Sequence, residues 1–252
     1  MSDKQVFLSA VYNDMAHPMV AEVGSVVGRS AKALLAPIRG LLWGWEHIEA
    51  YVEDQVTKRL ENVQEEKRKV PEPEIAVPLL QNLSYTAHNE TLRELYMALL
   101  ANSMNIDKEK VVHPSYVDII KRMSTLDALL FERLCLDKGY IRVINPHISI
   151  CNTSKFYFDA LPDWYLGWTI EGFDEFDISA SLVRLSKFGL IELMYDRTIS
   201  NADYNDLNRT PFLQSVLEDY QKSNVGQELE ISATNSALHV NEYGRLFMNA
   251  CH

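Results

Sequence analysis

The stretch ISASLVRLSKFGLIELMYD, residues 178–196, decides the fold. Its first part reads as an apolar helix capped by Asp177 and stopped by Gly189, because glycine takes the left-handed turn that ends a helix without a Cβ penalty. LIELMYD then reads as a strand. Downstream, SALHV at 236–240 reads as a returning strand and NEYGRLFMNA at 241–250 as a closing helix. A helix that ends in glycine and runs into a β-hairpin is the signature of a winged-helix module, with 178–188 in the recognition position.

Outward from that stretch, YIRVIN and HISIC read as two strands around an Asn145-Pro146 turn. Residues 155–177 and 197–236 read as insertions, the second with a helix near 211–222. Everything before Gly139 reads as helix. Ile38, Leu42, Trp45, Ile48, Val52, Val56, Leu60 and Val63 recur at gaps of three or four residues, which predicts one long amphipathic helix over about 37–66 opened by Pro37. Pro71, Pro73 and Pro78 make 67–77 a linker, with helix returning at about 78–87. Asn89 caps TLRELYMALLANSM, Pro114 opens SYVDIIKRM, and Ser124 caps TLDALLFERLCLDK. The expectation is therefore a mainly α protein: a helical bundle over 1–138, then an α+β winged-helix-like module over 139–252.

Charge narrows the function. The 252 residues carry 24 basic and 35 acidic side chains, net −11, and residues 139–252 alone carry 8 and 15. A nucleic-acid reader needs a basic stripe that neutralises phosphates. The candidate recognition helix offers only Arg184 and Lys187, so nucleic acid is a poor partner, and a DNA-binding regulator is the alternative reading. The three cysteines, Cys135, Cys151 and Cys251, are odd in number and widely spaced, which fits free thiols in a reducing, cytoplasmic setting. The short apolar run VFLSAVY lacks a following small-residue cleavage site, and no run of about 18 uncharged apolar residues exists.

No motif announces a reaction. There is no G-x-x-x-x-G-K-[ST], no H-E-x-x-H and no G-x-S-x-G, and the seven histidines are scattered. The reading is of a protein without catalytic residues, cofactor or metal. His113 before Pro114 reads as a helix-start residue rather than a base.

Two segments stand out instead. Residues 155–177 hold eight aromatics, six acids and one cation, and suggest a partner-binding loop around Trp164, Tyr165 and Trp168. Its acids favour a basic protein surface. The competing reading is that about half of these rings seal the module. Residues 20–45 combine glycines at Gly-x-x-x-Gly spacing, tryptophans and cations, so Arg39, Trp43, Gly44 and Trp45 suggest self-association or contact with a membrane surface. The plainer reading is a close-packed helix pair.

Four stretches taken together resemble the abortive infection alpha family of bacterial phage-defence proteins. They are LLAPIRGLLWGWEHIEAYVEDQV (34–56), PEPEIAVPLLQNLSYTAHNETLRELYMALLANSMN (71–105), HPSYVDIIKRMSTLDALLFERL (113–134) and VNEYGRLFMNAC (240–251). The resemblance implies an anti-phage role acting through death or arrest of the infected cell, with a phage or host protein as partner. It brings no catalytic residues. It singles out Pro37, Trp43, Gly44, His113, Pro114, Asp127 and Gly244, where prolines at helix starts and glycines at close contacts also serve the fold.

Overall fold

The computed structural model describes residues 30, 32–35, 48–86, 89–153, 156–157 and 160–252. They divide into two compact units, one comprising the chain up to Met123 together with Leu246–His252, the other Ser124–Arg245. The division falls at 123 rather than 138 because the helix after Ser124 packs within the second unit. Among the described residues the protein is mainly helical with one small antiparallel sheet.

The first unit is built on α1 (Glu49–Leu60), α2 (Pro73–Thr86), α3 (Glu90–Ser103) and α4 (Ser115–Arg122). Of the long helix expected over 37–66, α1 is the part that lies in the described residues and is helical. It ends at Leu60, where Arg68 donates to the carbonyls of Leu60 and Val63 at 2.9 Å each and so satisfies its last turn. The expected start at Pro37 lies outside the described residues. Helix α2 begins at Pro73, earlier than the proline spacing predicts, and Pro78 sits inside it. Pro73 takes the helix's first position, where a missing N–H costs nothing, while Pro78 forgoes one backbone bond on a helix that buries Ile75, Leu79, Leu80 and Leu83.

Asn89 caps α3 by accepting the Leu92 N–H at 3.2 Å. His113 Nδ1 accepts the Ser115 N–H at 3.1 Å, so its ring serves the start of α4. Helix α3 is buried on nearly every side, from Leu95 through Ala101. The edge of Phe247 meets the Tyr116 ring at 5.3 Å, which places part of the last helix in this core.

The second unit runs α5 (Thr125–Leu136), β1 (Ile141–Ile150), β2 (Phe156–Tyr157), α6 (Glu175–Lys187), β3 (Ile191–Met194), α7 (Asn205–Asn208), α8 (Pro211–Ser223) and β4 (Leu229–Val240). It ends with the first turn of α9 (Glu242–Cys251). The sheet order is β2-β1-β4-β3, all antiparallel. The turn expected at Asn145-Pro146 does not form: β1 is one strand through both residues. The Ile144 N–H and C=O bond Tyr165, on the side away from β4. Residue 146 shares that parity, so the N–H that proline lacks falls on the open side and no β1–β4 bond is lost.

Strand β4 is also longer than SALHV. Its last four residues pair β3, while Leu229–Leu238 pair β1. The insertion after β3 therefore closes by Leu229 rather than 236. It holds α7 and α8, which cover the apolar face formed by Ile144, Ile148 and Leu229 with Leu207 and Leu213. Asp174, not Asp177, is the N-cap of α6. Asp177 completes a capping box from the third position. Gly189 at φ +76° ends α6 as expected. Gly244 is fixed by contact: a Cβ there would lie 2.1 Å from the Leu190 carbonyl oxygen.

Candidate functional site

The most developed surface lies where α5, the start of β1 and the aromatic loop of the second unit converge. Helix α5 is held at its N-terminus. Ser124 and Asp127 form a reciprocal capping box, with the Asp127 N–H donating to Ser124 Oγ at 3.2 Å and the Ser124 N–H donating to Asp127 Oδ2 at 2.8 Å. Leu126, Leu130, Phe131 and Leu134 are buried. That leaves Leu129, Arg133 and Leu136, at four- and three-residue steps, on the outer face. Leu136 is 78% exposed, and Tyr140, just beyond the helix, is 59% exposed.

The aromatic loop is fastened rather than free. Tyr165 exchanges two backbone bonds with Ile144, at 2.9 and 3.0 Å. Its hydroxyl donates to Thr210 Oγ1 at 2.8 Å and its ring stacks on Phe212 at 5.8 Å. The Trp164 N–H donates to Ser179 Oγ at 3.0 Å, and Asn145 Nδ2 donates to the Asp163 carbonyl at 2.6 Å. Gly167 at φ +70° turns the chain where a Cβ would meet Leu207 at 2.9 Å. The next residue, Trp168, then lies under Arg133, whose guanidinium carbon sits 4.2 Å from the ring centre while its Nη1 donates to the Thr169 carbonyl at 3.0 Å.

Of the three expected partner-binding rings, Tyr165 belongs to the core at 5% exposure and offers no contact surface. Its neighbours Trp164 and Trp168 are half-buried and reach the surface. Trp164 meets the edge of Tyr195 at 6.4 Å. Trp168 lines a recess of about 240 Å³ with Asp137, Tyr140, Arg142, Leu166 and Leu207. Within it Arg142 is already bound. It donates to Asp206 Oδ1 and Oδ2 at 2.7 and 3.1 Å and to the Asp203 carbonyl, and this pairing holds the Asp206 carboxyl below its usual range.

The recognition-helix cations fare differently. Lys187 is exposed. Arg184 donates from Nε to Asp127 Oδ1 and Oδ2, at 2.9 and 3.1 Å, and Asp127 is completely buried. Ser181 Oγ donates to the same carboxylate at 2.7 Å. Arg184 thus commits its Nε to a buried carboxylate, although its own side chain is 40% exposed. Asp127 was singled out by resemblance alone; only the folded chain shows it as the buried joint between α5 and α6.

Arg39, Trp43, Gly44 and Trp45, the expected self-association or membrane residues, lie outside the described residues, as does Pro37. Among the described residues no helix is long and apolar enough to cross a membrane, and no three His, Cys, Asp or Glu side chains group closely enough to hold a metal ion. Burial pushes the Cys135 thiol up to about 12 and raises that of Cys251 further, so both stay protonated at neutral pH.

Fold and surface together define a mainly helical, two-unit protein whose second unit presents an aromatic recess beside an exposed apolar stripe. The family model for abortive infection alpha matches residues 44–251, and the chain belongs to that family. No curated protein and no solved structure gives a significant match.

Proposed function

We propose that this protein acts in phage defence by abortive infection, and that it does so by contacting another protein through the outer face of its second unit rather than by catalysis. Family membership supports the biological role. The observation that carries the mode of action is the stripe of Leu136 and Tyr140, 78% and 59% exposed, beside the half-buried Trp168. Exposed apolar and aromatic side chains that cluster, rather than scatter, mark contact surfaces. The partner is a phage or host protein met in the cytoplasm.

We read the second unit as winged-helix-like, with α6 ending at Gly189 and β4 returning between β1 and β3. That order of elements favours the DNA-binding alternative. The commitment of Arg184 to Asp127 and a unit charge of 10 basic against 18 acidic residues, net −8, weigh against it. Self-association or peripheral membrane contact through residues 20–45 would be a second use of the chain, supported by composition.

The test is survival of expressing cells under phage challenge. The wild type should protect a culture at a low phage-to-cell ratio and collapse at a high one. The double variant Leu136→Ser, Tyr140→Ser should lose protection while melting at the wild-type temperature. No protection by the wild type against a broad phage panel overturns the defence reading. Full protection by the double variant overturns the contact face.

A further inference from the structure

We propose that the recess lined by Trp168, Tyr140 and Asp137 receives a cationic side chain, Arg or Lys, from a basic segment of the partner. The inference rests on the protein-contact reading above and names the chemistry of the contact.

The size of the recess comes first. At about 240 Å³ it falls below the roughly 300–1,000 Å³ of sites that take drug-sized ligands, and it suits one long side chain. Leu166 and Leu207 supply apolar wall for a methylene stem. The exposed ring of Tyr140 and the half-buried indole of Trp168 supply π-faces for the charged head. The indole already carries one guanidinium of the chain itself, that of Arg133 at 4.2 Å, so a ligand cation would use the part of the ring that faces the recess.

Charge gives the sign. Arg142 would attract an anion, but its fork is closed on Asp206. Asp137 is exposed at the rim, and among the described residues no ion pair is formed by its carboxylate. Arg133 on the Trp168 ring and Lys138 beside Asp137 are cations outside the lining; of the two charged side chains that line the recess, Arg142 is paired and, among the described residues, Asp137 is not, in a unit of net −8. A phosphate or an acidic peptide meets repulsion here, and a neutral apolar side chain would leave Asp137 unused.

The experiment is fluorescence anisotropy at about 0.15 M salt with the full chain. The probe is a labelled peptide with one arginine between two leucines, flanked by glycines. Two companion peptides replace the arginine with citrulline, which keeps the shape and removes the charge, or with norleucine. The arginine peptide should bind saturably, and citrulline should weaken it roughly tenfold by removing both the cation–π and the ionic contact. Asp137→Asn should weaken it about two- to fivefold, as an exposed ion pair allows. Glu228→Gln, the same charge change on an exposed residue beside the far end of β4, should leave it unchanged.

Equal binding of citrulline or norleucine overturns the cation assignment. Equal losses in Asp137→Asn and Glu228→Gln overturn the site, leaving only attraction to an acidic protein. No saturable binding up to about 1 mM overturns the proposal outright. If the wild type protects cultures while the peptide does not bind, this inference alone fails. If the wild type does not protect, the defence reading fails whatever the peptide does.

Discussion

Two arginine–aspartate pairs in the second unit are built from the same groups, with arginines of similar exposure, and differ in the burial of the carboxylate. Arg184 meets Asp127 in the joint between α5 and α6, where the carboxylate is completely buried and also accepts from Ser181 and from the Ser124 backbone. Arg142 meets Asp206 where β1 faces α7, and the aspartate side chain there is 57% exposed. Distances alone would rank the two pairs as equals, at 2.9 and 2.7 Å. Water ranks them differently. An exposed carboxylate that loses its arginine is rehydrated, whereas a buried one is left with its desolvation uncompensated. The buried pair sets how α5 packs on α6, and the exposed pair closes the arginine fork at the recess.

The largest effect should follow from breaking the buried pair from the arginine side. Arg184→Ala leaves the Asp127 carboxylate with only Ser181 and a backbone N–H, and, because the 40% exposed Arg184 leaves a space that water can enter, should cost about 2–3 kcal/mol of unfolding free energy. A urea midpoint series would read it. A loss under about 1 kcal/mol, as for a surface pair, would erase the distinction drawn here.

That pair also shows what the sequence makes legible. Ser124 as a cap and the helix around Leu130 follow from spacing, because caps and periodicity act over three or four residues. The partner of Asp127 lies 57 residues away, and no local pattern announces it. Arg184 accordingly reads from sequence as a cation on a recognition helix. The same limit explains β1. Asn145-Pro146 carries the local chemistry of a turn, but β4 pairs along the whole strand and overrides it. In the aromatic loop, composition correctly marks an unusual segment. Which ring is core and which is surface depends on Thr210 and Phe212 for Tyr165 and on Arg133 for Trp168, all distant in sequence. Leu136 and Tyr140 are found only once α5 shows its outer face.

A middle-sized effect separates the capping role of Asp127 from its ionic role. Ser124→Ala removes the side-chain acceptor of the Asp127 N–H and leaves Arg184 in place, so it should cost about 1 kcal/mol. Combined with Arg184→Ala, the loss should differ from the sum of the single losses, since both changes act on one residue. Strict additivity would mean that cap and ion pair are independent, and that the joint is two contacts rather than one network.

The smallest effect belongs to the exposed pair, and pH identifies it. Arg142 lowers the Asp206 carboxyl below its unfolded value, chiefly through their hydrogen bonds. A depressed carboxylate stabilises the fold fully above its unfolded pKa, near pH 4 for aspartate, and that contribution is lost as pH falls through the lower folded value. Asp206→Asn should therefore cost less than about 1 kcal/mol at pH 7, and the difference from wild type should shrink towards zero once the pH falls below the lowered folded value. Paired denaturation curves from pH 7 down to the acid limit would trace it. A difference that persisted unchanged in acid would show that Asp206 acts through its hydrogen-bonding shape, which asparagine disrupts at any pH. The exposed pair would then hold Arg142 by geometry rather than by charge, and the recess beside it would keep its shape through acidification.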